Sequence, residues 1–259
     1  MLNATIKLRL KNILPKFVLE ALVSLRRLST PRSNIDISHL AGKKGIEIGG
    51  PSNLYSSHLP IYQKIYSLDG VNFSNTTLWE GEIKSGQNYN YFRNRKGYQF
   101  ICEATDLSQI NDNAYDFLLS SNCLEHIANP MMAIMEWKRV LKSRGTLILV
   151  LPSKASNFDH KRPTTSFEHL LEDFDNNTTE HDLTHLPEIL NLHDLSMDPQ
   201  AGSFQNFEKR SLDNYSNRAL HHHVFDLNVT ASMLEHCGFE IIQQTEEKNN
   251  FFTSAKRDS

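Results

Sequence analysis

The chain reads as one α/β domain built on a largely parallel sheet, and three observations predict it. Seven short apolar runs recur along the sequence, most of them without polar alternation, as expected of strands buried on both faces by helices. Residues 115–152 run as a strand, a polar turn, an amphipathic helix and a second strand, the unit that builds a parallel sheet. The C-terminal stretch reads as a helix feeding two strands joined by a polar turn, which makes the last strand antiparallel.

The apolar runs fall at Gly45–Ile48, Lys64–Leu68, Gln99–Cys102, Tyr115–Leu119, Thr146–Leu151, Phe239–Gln243 and Phe251–Ala255. The first ends in a glycine pair, Gly49 and Gly50, which lets a backbone or a ligand approach closely. The helix after it is poorly written, because Pro60 follows within a few residues. Asn129 suits an N-cap and Pro130 the first turn of the next helix. In that helix Ala133, Ile134, Trp137, Val140 and Leu141 share one apolar face, and Lys138, Arg139 and Lys142 sit near the negative end of its dipole. Val229–Cys237 reads as a further helix with Thr230 as cap, stopped by Gly238.

Two stretches break this pattern. Residues 70–97 are polar and aromatic, and residues 153–227 hold eight of the twelve histidines. Both read as insertions over the C-terminal edge of the sheet, where ligands bind in open α/β folds.

A chain of 259 residues buries one sizeable core. Its net charge of −3 predicts no general attraction to nucleic acid. Cys102, Cys123 and Cys237 lack pairing or ligand spacing, which suits reduced thiols in a cytoplasmic protein. Residues 1–35 form a basic amphipathic arm, with Pro15 interrupting the helical spacing and charges breaking up any signal-peptide core. Such an arm packs on the domain or a partner subunit, or rests on an anionic inner membrane surface.

The segments KGIEIGGPSN (44–53), CEATDL (102–107) and SSNCLEH (120–126), in that order among these strands, resemble the cofactor half of a class I S-adenosylmethionine-dependent methyltransferase. The resemblance implies a Rossmann-like seven-stranded sheet over residues 36–259 with an antiparallel last strand, helices on both faces and a His-rich insertion after the fifth strand. It implies that Glu47, Gly49 and Gly50 form the first cofactor turn, and that Asp69 accepts the ribose diol. Glu103, Thr105 and Asp106 are then implied to hold adenine, and Ser121 and Asn122 to line the methionine end. The pattern departs at Pro51 and Asn53, where the family commonly has glycine.

Oxygen methylation needs a general base, for which histidine fits. After the fifth strand, Asp159, His160 and Arg162 offer an orienting acid, a base and a cation for an anionic acceptor. His222, in HHHVFD (221–226), is a further catalytic candidate; the alternation of an extended chain sets it opposite His221 and His223. His126 is a candidate for the acceptor side or for support of the cofactor turn. His181 and His185, at i and i+4, suit a divalent metal with Asp182 or Glu188, or simply form a polar face. The segments EIGGPS, LPIY and FDHKR with the His-rich insertion further resemble bacterial methyltransferases of cell-surface polysaccharide clusters. That resemblance implies a sugar or glycan acceptor. The alternatives are a small metabolite, lipid or amine acceptor, or a methyltransferase-fold binding protein without catalysis.

Overall fold

A computed structural model describes residues 33–259 except Lys248; the basic arm therefore lies outside the described residues up to position 32. The described residues form ten strands: β1 Lys44–Ile48, β2 Ser67–Asn72, β3 Thr76–Thr77, β4 Gly81–Glu82, β5 Gly86–Phe92, β6 Arg95–Ile101, β7 Tyr115–Ser121, β8 Leu141–Pro152, β9 Phe239–Glu247 and β10 Asn250–Arg257. Eight of them form one sheet in the order β5-β6-β2-β1-β7-β8-β10-β9, and β3 and β4 make a small separate hairpin. From β6 across to β8 every pairing is parallel. β10 is antiparallel to both β8 and β9. The Rossmann-like sheet with an antiparallel end is thus as expected, with one strand added.

The added strand is β5. Residues 86–92 do not lie over the sheet but extend its edge, pairing antiparallel with β6. Tyr89 and Tyr91 turn inward there and are buried. Only the preceding hairpin region remains free to cover the sheet's C-terminal edge.

The α-helices among the described residues are α1 Asn53–Ser57, α2 Pro130–Val140, α3 Phe167–Asp175, α4 Leu186–Leu192, α5 Phe204–Leu212, α6 Asn214–Asn217 and α7 Leu227–His236. α1 is a short helix, as the poor pattern before Pro60 predicts. α2 begins as read: Asn129 accepts from the Met132 N–H, and Pro130 occupies the first turn. α7 is capped by Asp226 rather than Thr230; the Asp226 carboxylate accepts from the Val229 N–H, while the Thr230 hydroxyl bonds back to the Asp226 carbonyl.

One face of the sheet packs on α2, α3 and α7 through Trp137, Leu170 and Met233, all fully buried. Trp137 also donates from its indole N–H to the Ala104 carbonyl at 3.0 Å, tying α2 to the turn after β6. Replacing it with alanine removes both, at a cost of about 3–5 kcal/mol. The opposite face is covered by residues 35–65, with Tyr55 and Tyr62 at its centre. Helix α3 belongs to the main helical layer, so the stretch 153–227 is not wholly a cap. Its remainder has a small apolar centre of its own around Ile189, Phe207 and Leu220.

The strand order reverses at β1, which has β2 on one side and β7 on the other. In open α/β sheets the crevice at the carboxyl ends of such strands is where ligands bind.

Candidate functional site

A cavity of about 590 Å³ opens at this switch point. Gly49, Asn72, Glu103 and Ser121, at or just past the ends of β1, β2, β6 and β7, form its floor. Phe73, Trp79, Phe158, Arg218 and His221 line its walls.

Gly49 has φ +75°, and a side chain there would meet Cys123 Sγ at 2.6 Å. Only glycine suits the turn. Gly50 lies behind the wall; its carbonyl accepts from Asn72 Nδ2 at 3.1 Å, and a Cβ would strike the Glu47 carboxyl. Ser121 and Asn122 both line the cavity, Asn122 with φ +49°, a conformation asparagine tolerates.

Glu47 does not face the cavity. Its carboxylate is fully buried and accepts from Tyr62 Oη at 2.6 Å, Tyr89 Oη at 2.7 Å and the Ser52 N–H at 3.0 Å. Burial pushes its pKa up, the three donors pull it back, and it comes to about 7. Glu47 holds the glycine turn from below rather than touching a ligand.

Asp69 is a correction of the same kind. The second strand was expected to end there, but β2 continues through Gly70, Val71 and Asn72. Asp69 pairs with Ile46, two residues short of the end of β1. It accepts from the Tyr98 N–H at 2.8 Å and Tyr115 Oη at 2.9 Å, and it lies 3.5 Å from Lys44 Nζ. The position that reaches the cavity from β2 is Asn72, with Phe73 beside it.

Of the adenine candidates, Glu103 lines the cavity, whereas Thr105 and Asp106 face a shallow surface groove beside Glu136 and Arg139. Ala104 takes their place, and with Val71, Phe73 and Ile127 it supplies an apolar wall. Glu103 Oε1 lies 2.7 Å from Arg218 Nη2, and the guanidinium stands 5.1 Å from the Phe73 ring centre.

The catalytic candidates rearrange. His160 is outside the cavity, its Nε2 2.9 Å from Asp194 Oδ2. His222 is buried away from it, its Nε2 3.0 Å from Asn214 Nδ2. Asp159 is buried, and its carboxylate Oδ2 is hydrogen-bonded to Nδ1 of His221, which lines the cavity. Arg162 is not available to an acceptor. It is 1% exposed and donates to Asp159 Oδ1 at 3.1 Å, to Glu188 Oε1 at 2.8 Å, and to the carbonyls of His221 at 2.8 Å and His222 at 3.1 Å. It clamps the stretch carrying His221 to the loop carrying Asp159.

Burial pulls the His221 pKa down, but the Asp159 carboxylate and then Glu125 outweigh it, and the imidazole stands above its ordinary value. Burial raises Asp159, yet His221 and Arg162 take it to about 2. Beside them His126 also lines the cavity, its ring 4.5 Å from that of His221 and its Nδ1 2.9 Å from the Leu220 carbonyl. Burial drives His126 well below its ordinary pKa, so it is neutral.

The crevice is rich in acids. Glu80, Glu103, Glu125 and Glu180 all line it, and burial raises the pKa of each, that of Glu125 to about 7. Glu125 Oε2 is buried without a hydrogen-bond partner among the described residues. Arg218 is the one arginine among the lining residues, and it is already paired with Glu103 and Glu180. Such a site favours a cationic ligand. Glu125 and Arg218 were not singled out as ligand-facing by sequence reasoning, and nothing local in the sequence marks Arg218.

Of the two metal candidates, His181 stacks on Tyr215 with ring centres 3.9 Å apart, and only His185 joins other ligating groups. No described helix is long and apolar enough to cross a membrane.

Residues 46–149 match the protein family described as "Methyltransferase domain". No curated protein matches the chain. Among solved structures, the chain is similar to an S-adenosylmethionine-dependent methyltransferase from Mesorhizobium loti, at 10% identity and TM-score 0.49, over 84% of this chain and 92% of that one. It is also similar to a SAM-dependent methyltransferase from Methanosarcina mazei, at 16% identity and TM-score 0.46, over 88% and 99%. A third, from Aquifex aeolicus, shares 12% identity at TM-score 0.44, over 84% of each chain. The family match runs from β1 into β8, over 104 of the 259 residues, and supports a transferase enzyme.

Proposed function

We propose that this enzyme transfers a methyl group from S-adenosylmethionine to a hydroxyl oxygen of a saccharide, with His221 as general base and Asp159 as the acid that orients it. S-adenosylmethionine supplies an electrophilic carbon on a positively charged sulfur. The residues present fit such a ligand: Gly49 leaves room at the first turn, the apolar wall of Val71, Phe73 and Ala104 suits adenine, and the carboxylates favour the positive charge. Asn72 and Glu103 are the groups that would hold the ribose diol, and Ser121 and Asn122 the methionine end.

The observation that carries the reading is the Asp159–His221 pair on the cavity wall. With Nδ1 bonded to Asp159, the imidazole turns Nε2 to the acceptor. It takes the hydroxyl proton there as the acceptor oxygen bonds to the methyl carbon and the carbon–sulfur bond breaks. Trp79, 57% exposed at the cavity, offers a face on which a sugar ring can stack. A lipid-linked glycan at the inner membrane surface, met by the basic arm in the cytoplasm, accords with the polysaccharide-cluster resemblance.

The test is transfer of labelled methyl to a panel of sugar nucleotides and glycan extracts, against lipids and amines. Labelling of a sugar by the wild type and not by His221→Ala supports the reading. Labelling only of amines or lipids refutes the acceptor class.

One observation favours a second route to the same product. Glu125, His126 and His221 each present a ligand atom within 4.8 Å of the others, with Asp159 and the Leu220 carbonyl behind the two imidazoles. A divalent ion there would lower the hydroxyl pKa in place of a base. Turnover abolished by a chelator and restored by Mg²⁺ or Mn²⁺ selects this route, and unchanged turnover selects the base.

A further inference from the structure

The geometry points to a closed, tetrahedral zinc site formed by His169, Asp173, His185 and His223, outside the cavity and separate from the transfer chemistry. His169 and Asp173 lie one turn apart on α3, so the helix presents both on one face. His185 is the residue preceding α4, and His223 lies in the extended stretch before α7. One ligand atom from each of the four falls within 4.8 Å of the others.

The spacings suit the ion. His169 Nε2 is 3.0 Å from His185 Nε2 and 3.3 Å from Asp173 Oδ2, and His223 Nε2 is 3.7 Å from the same oxygen. Zinc bound at about 2.0–2.1 Å in a tetrahedron separates its ligands by about 3.3 Å. All four positions are filled by protein, as in structural rather than catalytic zinc sites.

Hydrogen bonding within the group leaves it unsatisfied. Asp173 Oδ2 and His223 Nδ1 are buried with no hydrogen-bond partner among the described residues. A proton on His223 Nε2 donates to the Ala128 carbonyl at 3.1 Å and orphans the Nδ1 lone pair. A proton on Nδ1 instead aims the Nε2 lone pair at two acceptors, Ala128 O and Asp173 Oδ2. The second arrangement is relieved by a cation bound at Nε2. Burial keeps His185 and His223 below their ordinary pKa, in the neutral form that ligates. Outer contacts fix the ligands: Thr178 Oγ1 donates to Asp173 Oδ1 at 3.0 Å, and His169 Nδ1 lies 3.6 Å from Glu172. The ion would pin α3, the residue ahead of α4 and the stretch bearing His221 to one another.

The experiment is elemental analysis of the full chain purified without chelator, with cobalt substitution as a second readout. About one zinc per chain is expected. It should be lost in Asp173→Asn and His223→Ala and kept in His221→Ala and Glu125→Gln. Cobalt exchanged into the wild type should show the visible bands of a tetrahedral ion, and chelation should lower Tm by about 5 °C or more. A wild type that holds neither zinc nor stoichiometric tetrahedral cobalt overturns the site. So does a metal that survives Asp173→Asn and leaves with Glu125→Gln. None of these readouts uses methyl transfer, so the site stands or falls apart from the proposed reaction.

Discussion

Asp159 holds the Nδ1 edge of His221 across 62 residues of sequence, and both side chains are buried at the cavity wall. That single contact joins the loop after β8 to the stretch before α7. It engages Nδ1 of the imidazole, and His221 itself lines the cavity. His221→Ala should lower kcat by about 10²–10⁴-fold while S-adenosylhomocysteine affinity stays within about threefold. Steady-state kinetics and calorimetry check the two halves together.

The same pair predicts a pH profile. His221 is a base only when neutral, and its pKa lies above the ordinary 6.5 because Asp159 and Glu125 outweigh burial. Turnover should therefore rise with pH through a midpoint above 6.5. Asp159→Asn removes the facing charge and should move that midpoint down. An ascending limb unmoved by Asp159→Asn would take His221 out of the role.

Arg162 belongs to the fold rather than to the acceptor. Removing its charge leaves Asp159 and two carbonyls buried without their donor. Arg162→Met should cost about 3–5 kcal/mol of stability, read by denaturant unfolding. An intact fold with only a raised KM would mean that it binds substrate instead.

Glu47 predicts a pH dependence of stability. Its folded pKa of about 7 exceeds the ordinary 4.5, so the folded state binds the proton more tightly. Its contribution is most favourable below 4.5 and is lost as pH rises through about 7. The stability difference between wild type and Glu47→Gln should shift against the wild type over that window, by up to about 3 kcal/mol. Unfolding midpoints of both proteins across the window measure it.

Cofactor affinity separates Asn72 from Asp69. Asn72→Ala removes a polar group at the cavity and the bond to the Gly50 carbonyl. It should weaken S-adenosylhomocysteine binding by about 1–2 kcal/mol, roughly 5- to 30-fold in Kd. Asp69→Ala should leave Kd within about twofold, because its partners are Tyr98, Tyr115 and Lys44.

These two residues also mark where the sequence is legible. The sheet can be read because β7 and β8 carry the apolar runs Phe117–Leu119 and Leu147–Leu151, buried throughout. β2 is SLDGVN, whose Asp, Gly and Asn disguise a strand that pairing with β1 and β6 carries to Asn72. The end of β2 therefore reads from the sequence three residues too early. Histidine alternation separated His222 from His221 but not which of them meets the cavity. Arg162 settles that by gripping both their carbonyls from a distant loop. The added β5 escaped because Tyr89 and Tyr91, read as insertion aromatics, are the inward face of an edge strand.

The central claim is tested most directly by a crystal structure of the chain with S-adenosylhomocysteine. The account predicts adenine against Ala104 and Phe73, the ribose at Asn72, and sulfur facing the side of the cavity that carries His221. A ligand bound elsewhere, or a switch-point crevice still empty at saturating concentration, would contradict it.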